Sequence, residues 1–293
     1  MPELPDIQIY LEHLERLLRG RTLLHLRFPN PFVLRTVRPA AQSLEGNRVA
    51  GVRRLGKRLA LEFEGGFFAV IHLMIAGRLH WREAGSRTLP RNALAVLEFE
   101  HGSLVLTEAG TKRRASVHLI EGESALAALN PGGLEILEAS EQEFADRLQS
   151  ANHTLKRALT DPHLFSGIGN AYSDEILHRA RLSPITLTSR LTQADIGRLY
   201  EAARRTLADW TERLRAQAGR DFPRKVTAFR EGMAVHGRYR EPCPDCGAPV
   251  QRIVYAENEA NYCARCQTGG KLLADRALSR LLKKNWPRSI DEL

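Results

Sequence analysis

No run in this sequence approaches the roughly 18 apolar residues that a membrane-spanning helix needs, so no membrane partner is expected. The chain also lacks a basic start followed by an apolar stretch. It opens Met1-Pro2-Glu3-Leu4-Pro5-Asp6, so no secretory signal is expected and a cytoplasmic location follows. Internal repeats and low-complexity tracts are missing too, which argues against solenoids and disordered linkers. What remains is a soluble globular pattern: 293 residues, 43% hydrophobic, mean hydropathy −0.32, long enough for two domains with real cores. Acids are outnumbered by bases, giving a net charge of +9 and a pI near 9.7. A polyanion is the partner class that this charge favours.

Cysteine is scarce and confined. The only four are Cys243, Cys246, Cys263 and Cys266, two CxxC pairs with 16 residues between them. Each CxxC turn presents two sulfurs to one side of a tetrahedron, which is the spacing of a four-thiolate zinc site. Two disulfides are the alternative, and they fit poorly with a cytosolic chain. Four thiolates leave no open position, so one structural zinc is expected rather than a catalytic one.

The first six residues are the candidate for chemistry. Met1 precedes a small residue, so its removal would leave Pro2 with a free secondary amine. An α-amino group titrates near pH ~8 and is partly nucleophilic at neutral pH. Attack on a sugar or carbonyl carbon yields an iminium intermediate, and Glu3 beside it is placed to move the proton this needs. The plainer reading makes Pro2 a stiff start and Pro5-Asp6 the first turn of a helix, where proline and an acid are both favoured.

Along the chain, Ile7, Tyr10, Leu11, Leu14, Leu17 and Leu18 recur at helical spacing, predicting a helix over Pro5–Leu18 with Gly20 as its stop. Short alternating runs follow at Leu23–Phe28, Val49–Leu55, Leu59–Phe63, Phe67–Leu73, Leu94–Phe99 and Leu104–Thr107, the texture of a β-sandwich or barrel. Two basic points interrupt them: Arg53–Arg58, a strand-turn-strand corner containing Gly56-Lys57, and the loop Thr111-Lys112-Arg113-Arg114. Charged hairpin ends are often merely solvated; the functional alternative is phosphate contact. After Asn130-Pro131-Gly132-Gly133 the pattern turns helical. Ser140 is a predicted N-cap, Gly167-Ile168-Gly169-Asn170 is a turn opening a helix, and Leu191 to Ala218 reads as one long helix. His72, in an apolar strand, reads as a hydrogen-bonded core histidine. A basic amphipathic helix is predicted over Leu272–Lys283.

Taken together, these motifs resemble the Fpg/Nei formamidopyrimidine and endonuclease-type DNA glycosylases. The resemblance runs to about Gln267. It rests on Pro2-Glu3-Leu4-Pro5, Gly56-Lys57, His72-Leu73-x-x-x-Gly77-x-Leu79, Gly167-x-Gly169-Asn170-x-Tyr172-x-x-Glu175, and Val235-x-Gly237-Arg238 leading into the four-cysteine finger. It implies an α+β multidomain fold: an N-terminal helix on a β-sandwich (1–130), a helix–two-turns–helix domain (131–228), a four-cysteine β-hairpin zinc finger (229–267), then a basic helical tail (268–293). It further implies a bifunctional DNA glycosylase and abasic-site lyase of base excision repair, acting as a monomer on damaged double-stranded DNA. Pro2 then stands as the amine nucleophile, Glu3 as the acid that opens the deoxyribose ring, and Lys57 as the cation holding phosphates around the lesion. Asn170 matches the asparagine of the two-turns segment that grips the backbone, Lys156 matches a DNA-binding lysine in the same module, and Lys112, Arg113 and Arg114 form a further basic loop.

Departures are as informative. Asn258 stands where the family carries an arginine that reaches a phosphate. Ile75 stands where a methionine fills the gap left by the flipped base, and Asp6 where a glutamate is usual. The segment Gly219–Phe229 is shorter than the loop that caps oxidised guanine. The rival functional reading is a noncatalytic protein that binds lesions or branched DNA, and its warrant is Asn258. A third, an RNA-binding zinc-ribbon protein, has no use for the terminal Pro-Glu.

Overall fold

The structure, a computed structural model, describes all residues except 87, 110–111, 224–229, 256–257, 275–280, 282–286 and 293, together with all side chains of the remainder but 255 and 258. The chain divides into two compact units, Met1–Pro131 with Thr211–Thr227, and Gly132–Trp210 with Ala228–Leu293.

The first unit begins with α1 (Leu4–Leu18). Ile7, Tyr10, Leu14 and Leu18 fall on one side of the helix and are fully buried, as three-to-four-residue spacing dictates. The chain then leaves the helix through Gly20 at φ +74°, a left-handed conformation that glycine adopts without strain. Eight strands follow: β1 (Leu23–Arg27), β2 (Val49–Leu55), β3 (Arg58–Phe63), β4 (Phe67–His72), β5 (Gly77–Glu83), β6 (Ala93–Phe99), β7 (Gly102–Glu108) and β8 (Ser116–Glu121). They form two antiparallel four-stranded sheets, ordered β1-β6-β7-β5 and β2-β3-β4-β8. Alternation places Leu59, Leu61, Ile71, Leu97, Leu104 and Leu119 in one core with α1, so the helix lies on a sandwich. The opposite face of the second sheet buries Phe68, Val70 and Ile120 under α2 (Glu123–Ala128). β5 and β8 lie outside the six expected runs. β5 alternates Leu79 and Trp81 with Arg78, His80 and Arg82, a two-residue period with only two apolar positions to show it.

In the second unit α3 (Glu141–Gln149) starts at the expected cap: the Ser140 hydroxyl accepts from the Glu143 N–H, and the Glu143 carboxylate accepts from the Ser140 N–H at 2.8 Å. α4 (Leu155–Thr160), two turns, and α5 (Asn170–Ala180) form the helix–two-turns–helix, followed by α6 (Gln193–Ala218). Phe144 stacks 4.9 Å from Phe165 and 5.5 Å from Tyr200, filling the space between α3, the turns and α6. Gly133 is required by space: a Cβ there would lie 2.3 Å from the Pro162 carbonyl oxygen.

The finger is a hairpin, β9 (Gln251–Tyr255) and β10 (Asn258–Tyr262), closed by α7 (Ala264–Thr268). The predicted tail helix falls mostly outside the described residues, and residues 272–274 at its start are not helical. The described parts of the tail fold back onto the finger. Leu272, Leu273 and Ile290 are buried with Val235, Val250, Ile253 and Tyr262, and the Leu273 N–H donates to the Tyr262 hydroxyl at 2.8 Å. Among the described residues, no helix is long and apolar enough to cross a membrane.

Candidate active site and zinc centre

Glu3 is the N-cap of α1, with proline in the first turn. Its backbone N–H donates to Asp6 Oδ2 at 2.9 Å in a capping box, so the helix start itself fixes the terminal residues. Asp6, expected as a near-site acid, is the reciprocal member of that box. Pro2 is buried, and Glu3 and Asp6 are each 2% exposed. Burial lowers the pKa of the Met1 amine below its ordinary value; Glu3 opposes this, Arg78 lowers it further, Asp6 opposes and Lys57 lowers. The amine thus sits among two carboxylates and two cations, beside a helix N-terminus that also favours its neutral form. Behind this site α1 is held by Arg215, which donates to both Glu12 carboxylate oxygens at 2.9 and 2.6 Å, and by Phe222, 5.6 Å from the Tyr10 ring.

Lys57 occupies the β2–β3 turn after Gly56 at φ +59°, as expected for a strand corner. Beside it, half-buried His72 is pushed down to about 4 by burial and by Arg58, Lys57 and His118. It is therefore a neutral, half-buried imidazole in a cationic corner. Ile75 is 57% exposed at the tip of the β4–β5 turn. That turn is tight: Met74 adopts φ +52°, and a Cβ at Gly77 would lie 2.3 Å from the Leu73 carbonyl oxygen. Arg78 donates to the Gly77 carbonyl at 2.7 Å, so the side chain near the amine also braces the turn that presents Ile75. Arg78 was missed at the sequence level, although it is the unassigned position inside Gly77-x-Leu79. Lys112, Arg113 and Arg114 are exposed. Their loop is closed by buried Glu108, whose carboxylate accepts the Arg114 and Ala115 N–H groups, both at 3.0 Å.

In the second unit Asn170 is the first residue of α5, as the turn motif predicts. Lys156, expected among the DNA-binding residues, has partners within the protein. Its ammonium donates to the Asn170 carbonyl at 2.6 Å and to Asp174 Oδ1 at 2.5 Å. Asp174 is 0% exposed and also meets His236 Nδ1 at 2.8 Å and Asn261 Nδ2 at 3.4 Å. Glu175 accepts the N–H groups of Ala234, Val235 and His236 at 2.7, 2.9 and 2.9 Å. Lys156 is thus the counter-ion of a buried carboxylate that ties α5 to the finger segment. Asn258 opens β10 opposite Tyr255, and its side chain lies outside the described residues.

None of the four cysteines is disulfide-bonded, and their sulfurs lie within 4.8 Å of one another. Cys243 Sγ is 3.9 Å from Cys266 Sγ, and Cys246 Sγ is 3.4 Å from Cys263 Sγ. A tetrahedron with Zn–S bonds of about 2.3 Å has edges of about 3.8 Å, so the four cysteines fit one structural zinc ion.

A sandwich bearing a half-buried terminal amine beside a buried acid, a helix–two-turns–helix and a four-thiolate finger define the fold of zinc-finger DNA glycosylases. Comparison with known proteins places the chain within that class. Residues 1–116 match the formamidopyrimidine-DNA glycosylase N-terminal domain, 134–217 its H2TH domain, and 240–269 the zinc finger found in FPG and IleRS. The chain belongs to the formamidopyrimidine-DNA glycosylase family. It is 34% identical to the formamidopyrimidine-DNA glycosylase of Thermus thermophilus, covering 92% of this chain and 100% of the relative. An uncharacterized formamidopyrimidine-DNA glycosylase-like protein of Mycobacterium tuberculosis is 40% identical over 53% of this chain and 95% of its own length. The crystal structure of MutM (Fpg) from Thermus thermophilus superposes with a TM-score of 0.76 at 30% identity, covering 91% of this chain and 98% of that one. Lactococcus lactis Fpg bound to DNA containing an abasic site shares the fold, with a TM-score of 0.79 at 23% identity over 91% and 99% of the two chains.

Proposed function

We propose that this protein is a bifunctional DNA glycosylase and abasic-site lyase that uses Pro2 as its nucleophile. The observation that carries the reading is a half-buried terminal amine next to the buried Glu3 carboxylate, its pKa lowered by burial against the opposing pull of Glu3. Removal of Met1 transfers that role to the Pro2 nitrogen. Chemistry at a base inside a duplex requires the nucleotide to be extruded. Lys57, with Lys112, Arg113 and Arg114, supplies the phosphate contacts, Asn170 grips the backbone, and Ile75 enters the vacated stack as an apolar wedge.

In the reaction the Pro2 nitrogen bonds to the sugar C1′ while the C1′–base bond breaks and the base departs with a proton. Glu3 protonates the ring oxygen, which opens the deoxyribose and leaves an iminium. Loss of a C2′ proton then expels the 3′-phosphate (β-elimination), a second elimination expels the 5′-phosphate, and water releases Pro2. Formamidopyrimidine lesions, named in the relatives, are the first substrates to test. Borohydride should trap a covalent adduct between Met1-free protein and abasic DNA, and Pro2→Gly should remove it. Glu3→Gln should abolish base excision. Lesion binding with neither adduct nor cleavage would favour the noncatalytic reading, to which Asn258 in place of a cation points.

A further inference from the structure

The zinc centre has a partner outside the finger. Two of its sulfurs receive backbone N–H groups from the finger itself: Cys263 Sγ from Cys266 at 3.5 Å, and Cys246 Sγ from Ala248. Cys243 Sγ instead lies 3.3 Å from Nε2 of His178, a residue of α5 that is 3% exposed. His178, Asp245 and Cys266 also bring one ligand atom each within 4.8 Å of one another, so the imidazole stands at the edge of the metal position. We infer that His178 is a positioning residue of the zinc centre, donating its Nε2–H to the Cys243 thiolate and fastening α5 to the finger.

The reasoning starts from charge. Zinc with four thiolates carries a net charge of −2, and Cys243 and Cys263 are buried. Buried anionic sulfur is stabilised by hydrogen-bond donors, and bonds to charged acceptors are the strong ones. A metal-bound thiolate has no proton to give, so a nitrogen at this distance must carry one; this fixes the tautomer with hydrogen on Nε2. Such outer partners orient a ligand and slow its departure. The helix that carries His178 also carries Asn170 and Asp174, so the same hydrogen bond couples the finger to the backbone-gripping end of α5. The inference rests on the zinc site and stands apart from the proposed lyase chemistry.

The test uses the full-length zinc-loaded protein and compares His178→Phe, which keeps a ring without a donor, with His178→Gln, which restores an N–H. Zinc transfer to a colorimetric chelator should be about 10-fold or more faster in His178→Phe and close to wild type in His178→Gln. The thiolate-to-metal absorption of the Co(II)-substituted protein should shift in the phenylalanine variant only. A folded His178→Phe with wild-type release and spectrum would overturn the inference, as would equal failure of both variants, which marks packing alone. A wild-type Co(II) spectrum of three sulfurs and one nitrogen would overturn it too, by making His178 a ligand. Should the phenylalanine variant fail to fold, ¹⁵N-histidine NMR of the wild-type zinc protein decides: Nε2–H is expected, and a bare Nε2 refutes it.

Discussion

Replacing Lys156 by methionine keeps the length of the side chain and removes the cation from Asp174. The ammonium is 2.5 Å from Asp174 Oδ1, with side-chain exposures of 15% for the lysine and 0% for the aspartate. A carboxylate with no access to water cannot replace that partner by hydration, and breaking a buried pair typically destabilises by about 3–5 kcal/mol. His236 and Asn261 still contact Oδ2 and hold the loss towards the lower end. At 1.4 kcal/mol per decade this is a fall of about 10²- to 10³-fold in hydrogen-exchange protection of the α5 amides. Adding Asp174→Asn removes the stranded charge and should recover at least about 1 kcal/mol, the coupling expected of residues in direct contact. A lysine serving only as a surface phosphate ligand behaves otherwise. Its loss leaves the DNA-free protein within about 0.5 kcal/mol and lowers the salt slope of DNA binding by about 1. Unchanged α5 protection together with that lower slope would refute the structural assignment of Lys156.

The amine environment sets a pH dependence. Burial lowers the pKa of the terminal amine and Arg78 adds to this, so activity in Met1-free protein should persist below the pH at which an exposed amine protonates, and Arg78→Gln should move the acid limb of the borohydride-trapping profile to higher pH. In the metal-free finger, burial raises the Cys266 thiol and pushes Cys263 up to about 11, so protons compete with zinc. Chelator-driven zinc release should accelerate as pH falls, and a release rate independent of pH would contradict this. Ile290→Ala removes a buried side chain from the finger core and should destabilise it by about 2–5 kcal/mol, exposing residues 269–274 and 287–292 to limited proteolysis. Unchanged cleavage would show that the tail is not part of that core.

Local signals in the sequence carried a definite share of this molecule. Each CxxC spacing specified two sulfurs on one side of a turn, because the turn is set by a few backbone angles, and the two pairs together pointed to one four-thiolate site. The 3.6-residue recurrence from Ile7 to Leu18 specified α1, and two-residue alternation specified most of the sandwich. The glycine turn before Asn170 placed that residue at a helix start. Tertiary structure decided everything that depends on partners distant along the chain. Arg78 acts on the amine because β5 returns to α1, its Leu79 N–H donating to the Tyr10 hydroxyl. Lys156 turns inward because the one-turn spacing from Asn170 to Asp174 presents a carbonyl and a carboxylate to it together. His178 meets Cys243, and Ile290 meets Val250, only once the finger has closed on its own core. Periodicity is written into neighbouring residues, whereas the pairing of charges and donors follows from packing, which no short stretch of sequence contains.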